Sequence, residues 1–368
     1  MTVSSPTPIQ SSAIPATGSA DVFFEPVRPL LQSVRESLVA VVPPASQVLA
    51  QTVNQSLTSG GKYLRPAVVL LLGMATRADA QPEQPATPAH PLVSVAAVAE
   101  MIHIATLLHD DVLDQSDLRR GQPTVRATLG NKISVLSGDY LLAQASLKLS
   151  KLGSTRLVAI YAQVLSDLCD GEVTQMTTSF QLRPDQLEAA WAQYRLKTRC
   201  KTASLFAAAG ESAGVVNALK ETDIQALRRY GEHFGMAFQI VDDLLDYTAS
   251  AEQMGKPVFD DVRNGLLNAP VLLMLEALAD DPAARADAVL AITSLFQQEG
   301  GPAEGLLNET DAITRLQRHL AATRALESTR QLAEQAVDNA LAELDFVAES
   351  PYKTALTALT RFITCRLA

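Results

Sequence analysis

Apolar residues recur every three or four positions from about residue 21 to the end of the chain. That period predicts helices almost throughout. The stretch 92–111 is apolar on nearly every side, which predicts a helix buried in the middle of a bundle. A second apolar helix is expected at 68–74, opened by Arg65-Pro66 with proline in its first turn. Prolines at 82, 85, 88 and 91 mark 76–91 as a loop. Further helices are expected at 132–152, 155–178, 184–214, 221–247, 270–279, 283–299, 309–315, 323–344 and 352–366, with a Gly/Pro loop at 298–305. No fixed-period repeat is present, and the Pro-rich loop is too short to separate domains. The expectation is an all-α chain with one large domain over 21–368, after a Ser/Thr/Pro-rich, disordered tail over 1–20.

Composition agrees with helices. The chain of 368 residues is 47% hydrophobic but only 5% aromatic, and β-branched runs are short. A formal net charge of −10 makes it a poor ligand for a nucleic-acid backbone. Cys169, Cys200 and Cys365 are scattered, with no CxxC pair, which fits a reduced, cytoplasmic setting. No apolar run is expected to reach the ~20 residues of a membrane span. The absence of Lys or Arg before Arg28 argues against a signal or transit peptide.

Two acidic clusters carry the candidate chemistry. His109-Asp110-Asp111-Val112-Leu113-Asp114 closes the buried helix, and Asp242-Asp243-Leu244-Leu245-Asp246 closes another apolar run. Both read DDxxD. On a helix, i and i+4 share a face, so Asp110 projects with Asp114 and Asp242 with Asp246. Like charges so placed cost about 0.2–0.5 kcal/mol, and acids at a helix C-terminus oppose its dipole. A hard divalent cation would offset both effects. A solvated helix end is the ordinary reading of one such cluster, but it gives no reason for the apolar run that precedes each.

Cations stand ready to answer these acids. Gly60-Gly61-Lys62-Tyr63-Leu64-Arg65-Pro66 offers backbone that an anion can approach, with Lys62 and Arg65 for charge. Arg119-Arg120-Gly121 follows the first acidic cluster, Lys201-Thr202 lies between the clusters, and Lys256 follows the second. Each alone reads as a surface cation. Together they suit two diphosphates, one clamped through metal and the other held directly. His103 lies two turns before Asp110, and Gln239 lies three residues before Asp242; either could equally be a satisfied core group.

The ordered set GGKxxRP, HDDVLD with LRRGxPT, GDYLLAQ, KTASL, FQIVDDLLDY and GKP resembles the trans-type polyprenyl diphosphate synthases, nearest to those that make solanesyl chains. The resemblance runs from about residue 21 to the end. It implies antiparallel helices around a central cavity, a homodimer, and a peripheral membrane contact for product release. It implies that Asp110, Asp111 and Asp114, with Asp242, Asp243 and Asp246, bind Mg²⁺ on an allylic diphosphate. Lys62, Arg65, His103 and Arg120 would hold isopentenyl diphosphate. Arg119 and Lys256 would contact the allylic substrate, with Lys201, Thr202 and Gln239 as catalytic positions. Three departures stand out: Tyr63 where the family often has Arg, Leu266 where many members have Lys, and Thr198 to Cys200 in place of a Tyr-containing approach to Lys201.

The same resemblance makes positions four and five before the first motif a floor for the growing chain. Here they are Thr106 and Ala105, with Ile102 and Ala99 deeper. None is aromatic, which favours a long product. A medium-chain geranylgeranyl synthase, a class I terpene cyclase and an inactive partner subunit are the alternatives.

Overall fold

The computed structural model describes residues 20–41, 46–58, 63–77, 90–119, 121–180, 186–248, 258–296 and 305–365. A 3-10 turn, Ala20–Val27, leads into α1 (Arg28–Val39), α2 (Gln47–Thr58), α3 (Leu64–Ala75) and α4 (Pro91–Leu113). A hairpin of β1 (Leu118–Arg119) and β2 (Gln122–Pro123) follows. The chain continues through α5 (Val125–Leu129), α6 (Asn131–Lys151), α7 (Thr155–Thr178), α8 (Leu187–Thr198), α9 (Ser204–Val216) and α10 (Glu221–Thr248). It ends with α11 (Asp260–Arg263), α12 (Ala269–Ala277), α13 (Pro282–Leu295), α14 (Glu309–Thr323), α15 (Ala325–Ala342) and α16 (Pro351–Cys365). The tail expected over 1–20 lies outside the described residues except for Ala20, as do most of the 76–91 loop and most of the 298–305 loop.

Local chemistry sets the starts of these helices. The side chains of His90, Thr124, Ser154, Asp281 and Asn308 each accept a first-turn backbone N–H, which satisfies one of the donors a helix leaves open. Proline stands in the first turn of α1, α4, α12 and α13, where its missing N–H costs nothing. Helix α4 is the axis of the molecule. Every residue from Leu92 to Ile102 is buried, and α1, α3, α6 and α9 pack around it. By length and composition α4 could cross a membrane, which corrects the expectation that no apolar run was long enough. Its apolar surface is instead covered by the neighbouring helices.

One difference from the expected elements bears on the site. The helix expected at 184–214 is interrupted by a π-helical segment, Arg199–Ala203, between α8 and α9. Helix α9 then packs closely against α10, because a Cβ on Gly231 would stand 2.1 Å from the Phe206 carbonyl oxygen and one on Gly210 would stand 2.0 Å from that of Leu227. A larger residue at either position would push the two helices apart. A main apolar core surrounds α4, and a second cluster gathers α11 to α14.

Candidate active site

The last turn of α4 divides its acids. Asp111 is 4% exposed and accepts a 2.8 Å hydrogen bond from Arg119 Nε on the hairpin. This pair gives both residues a partner other than the metal and the substrate expected for them. Asp110 and Asp114 point elsewhere, toward Glu172 of α7 and Lys201 of the π-helical segment. Burial, then the Glu172 carboxylate, pushes Asp110 up to about 7, with Asp114 adding to the rise and Lys201 opposing it. Asp114 remains exposed as a residue, yet its carboxyl is also raised, first by loss of hydration, with Glu172 and Asp111 adding to the rise and Lys201 and Arg119 opposing it.

The end of α10 is built differently. Asp243 is 3% exposed and both of its oxygens are engaged. Tyr194 Oη donates to Oδ2 at 2.6 Å, and Gln239 Nε2 donates to Oδ1 at 2.9 Å. Burial and then the Asp261 carboxylate push Asp243 up, and the nearby Lys197 opposes them. Asp246 is 2% exposed, and its Oδ2 accepts the backbone N–H of Asp261 at 3.3 Å. Asp261 accepts in turn from Asn268 Nδ2 at 2.9 Å. Asp242 is half-buried on the same turn.

One π-helical turn serves both acidic clusters. Lys201 Nζ lies 2.5 Å from Glu172 Oε1 and donates to Gln175 Oε1 at 3.0 Å, in the field of Asp110 and Asp114. The next residue, Thr202, donates through Oγ1 to Gln239 Oε1 at 2.8 Å, and Gln239 hands on to Asp243. Adjacent side chains therefore reach the acids of α4 and of α10. Such local widening of a helix turns neighbouring residues outward in directions a regular helix does not supply. Arg65 enters from α3 with its guanidinium 4.8 Å from the Phe206 ring centre, and Phe206 contacts Phe238, the neighbour of Gln239.

A cavity of about 410 Å³ opens between α2, α4 and the hairpin. His103, Glu100 and Asp111 line it from α4, Gln55 and Ser56 from α2, and Arg119 and Thr124 from the hairpin side. Lys62, Arg120 and Lys256 lie outside the described residues.

Residues 46–298 match the model of the polyprenyl synthetase family. The chain belongs to that family of enzymes. It is 33% identical over 344 residues to solanesyl diphosphate synthase 2, chloroplastic, of Arabidopsis thaliana, which covers 94% of this chain and 76% of that one. A decaprenyl diphosphate synthase from Rhodobacter capsulatus has a similar crystal structure, with a TM-score of 0.79, 31% identity, and coverage of 95% of this chain and 99% of that one. A polyprenyl synthase from Caulobacter crescentus CB15, complexed with calcium and isoprenyl diphosphate, gives a TM-score of 0.79 at 30% identity, covering 95% of this chain and 99% of that chain. The all-helical bundle is the fold of these prenyl diphosphate synthases.

The acids suit a divalent cation. Among the described residues no three His, Cys, Asp or Glu side chains converge as a ready-made metal cage. They come as neighbours of like charge, Asp110 with Asp114 and Asp243 with Asp261. Magnesium is commonly bound by one or two carboxylates, with substrate phosphates and water completing its shell. Carboxylates raised by crowding gain most from such an ion. The sequence reading missed Glu172, Gln175, Tyr194 and Asp261. The one available signal was Gly171-Glu172 inside a helix, since an interior glycine is unfavourable unless something packs close to it.

Proposed function

We propose that this polyprenyl synthetase condenses isopentenyl diphosphate head-to-tail with an allylic diphosphate, depends on Mg²⁺, and makes a long-chain all-trans polyprenyl diphosphate. The observation that carries this reading is the π-helical turn that brings Lys201 to the acids of α4 and Thr202 to those of α10. An allylic diphosphate lying there would meet a cation and both acidic clusters.

Asp110 and Asp114, with Asp242 and the buried acids beside it, are the residues suited to hold Mg²⁺. When bound, the ion would neutralise charge on the departing pyrophosphate. Lys201 would add its ammonium to the same charge, and the Thr202–Gln239 hydrogen bond would fix its direction. The allylic C–O bond breaks with its electron pair leaving on oxygen. The alkene of isopentenyl diphosphate then forms the new C–C bond, and the released pyrophosphate accepts the proton. No side-chain base is required. The apolar bundle restricts water that would otherwise quench the cation.

Isopentenyl diphosphate is assigned to the cavity that His103 lines. The segment carrying Lys62 follows its α2 wall in sequence, and Arg120 follows Arg119 on its hairpin wall. Holding the second substrate beside the first replaces a bimolecular encounter with positioning. The face of α4 below Asp110 carries Thr106, Ala99 and Ile102, with Ala105 beside them. None is aromatic, which supports a long product.

A homodimer fits the outer surface. Val158, Val173 and Met176 on α7 and Leu136 and Leu147 on α6 are exposed apolar side chains at helical spacing, and Met176 is 66% exposed. Light scattering should give twice the chain mass, and Met176→Asp should give the monomer. The free cysteines suit a cytoplasmic setting.

The deciding experiment incubates purified protein with Mg²⁺, labelled isopentenyl diphosphate and a series of allylic primers, then sizes the products. Chains of seven to ten isoprene units support the reading. Chains of four units favour a medium-chain synthase, and consumption of primer without isopentenyl diphosphate favours a cyclase. No turnover would overturn it.

A further inference from the structure

Lys201 has two side-chain partners on α7. An ammonium has three N–H donors. One faces Glu172 at 2.5 Å and one goes to Gln175 at 3.0 Å, so two are taken up by neighbouring turns of α7. The close approach depends on Gly171. A Cβ there would stand 2.8 Å from Lys201 Cγ, 2.9 Å from Cys200 Cβ and 3.3 Å from the Lys201 backbone nitrogen. Any larger residue would push the π-helical turn away from α7. Glu172 and Lys201 are each less than a quarter exposed, so water screens their attraction only in part. Glu172 also stands close enough to Asp110 to raise it.

We propose that Gly171, Glu172 and Gln175 form a berth for the Lys201 ammonium, so that a diphosphate binding beside Asp110 and Asp114 must compete with Glu172 for Lys201. The proposal rests on the functional reading above and adds Glu172 as a positioning residue that acts through Lys201. Glu172 has two effects of opposite sign. It keeps the lysine aimed at the space beside Asp110 and Asp114. It also competes with the anion the lysine serves. Removing its charge while keeping its shape should therefore tighten anion binding, where loss of a merely structural contact would weaken it or leave it alone.

The test is a double-mutant cycle read by calorimetric binding of inorganic pyrophosphate at fixed Mg²⁺. Glu172→Gln keeps an acceptor for the ammonium. Lys201→Met keeps the stem against Gly171 and removes the charge. Glu172→Gln should tighten pyrophosphate binding by about threefold to tenfold in the native background. It should give no such gain with Lys201→Met. An equal gain in both backgrounds would show only the general field of the acid and would overturn the berth. So would unchanged or weaker binding in the native background. Turnover of the native enzyme with isopentenyl diphosphate is measured beside it. If turnover is absent while the coupling holds, the berth stands and the assigned reaction fails.

Discussion

Tyr194 on α8 and Asp243 on α10 stand 49 residues apart and meet through a 2.6 Å hydrogen bond in which the phenol donates to the carboxylate. Both are buried, and burial with the neighbouring carboxylate raises Tyr194 well above its ordinary range, so it stays a donor. The bond ties the helix leading into the π-helical turn to the second acidic cluster. Tyr194→Phe removes the donor and leaves the acid with Gln239. Such an orphaned buried acceptor costs about 1–3 kcal/mol. The urea midpoint should fall accordingly, and kcat should fall several-fold. Unchanged kinetics would mean that Asp243 is held well enough without the phenol.

The first acidic cluster should make the metal-free protein less stable as pH rises. Asp110 goes from an ordinary 3.8 to about 7 in the fold. A group raised by folding favours the native state fully below its unfolded value, and that contribution is lost as pH climbs through the folded one. Asp111 and Asp114 are raised as well and act in the same direction. In excess chelator, the urea midpoint should drop between about pH 5 and about pH 8, with a loss on the order of 2–4 kcal/mol. Asp110→Asn should flatten that slope. A native midpoint no steeper than the variant's would remove the crowding from the account. Added Mg²⁺ should restore most of the loss at high pH by binding the folded form.

Product length should respond to the wall of α4. Ala105 is fully buried, five residues before Asp110. Ala105→Phe places a ring where the growing chain is expected to pass. Overpacking there costs about 1–3 kcal/mol, so the variant's melting temperature is measured first. The products, sized by chromatography of the labelled chains, should be shorter by several units at a comparable initial rate. An unchanged distribution would mean that the chain runs along another face.

Much of this was legible in the sequence, for definite reasons. Residues 155–178 were readable because Ser154 caps the start and the apolar spacing holds to the end. The burial of α4 was readable because apolar residues dominate every side of it, with Ser94, Glu100, His103 and Thr106 scattered among them. Spacing put Asp110 with Asp114 but carried no information on what faces each acid, so the Arg119 partner of Asp111 was hidden. The π-helical turn was not legible, since one widened turn leaves composition unchanged and only shifts the phase of the apolar pattern by about one residue. The helix expected to stop at 315 runs on to Thr323, because Arg315, Arg318 and His319 look like an exposed end yet converge on Asp287 of α13.

Gly138 gives a last test of how the first cluster is aimed. His109, next to Asp110, reaches across to α6, where its Nε2 lies 3.2 Å from the Val135 carbonyl and 3.4 Å from Asp139. A Cβ on Gly138 would stand 2.3 Å from that nitrogen, so only glycine leaves room for the ring. Close by, Ser134 Oγ donates to the Leu108 carbonyl at 2.8 Å, a second tie on the same turn. Gly138→Ala evicts the imidazole but leaves the serine tie, so the fold should survive with a modest drop in melting temperature. The last turn of α4 then has one anchor in place of two. Misaligned acids should raise the KM for the allylic diphosphate and the Mg²⁺ requirement together, while the KM for isopentenyl diphosphate changes less. His109→Ala should reproduce the pattern without the clash. If Gly138→Ala is impaired and His109→Ala is normal, the defect lies in the packing of α6 on α4 and not in the aim of Asp110.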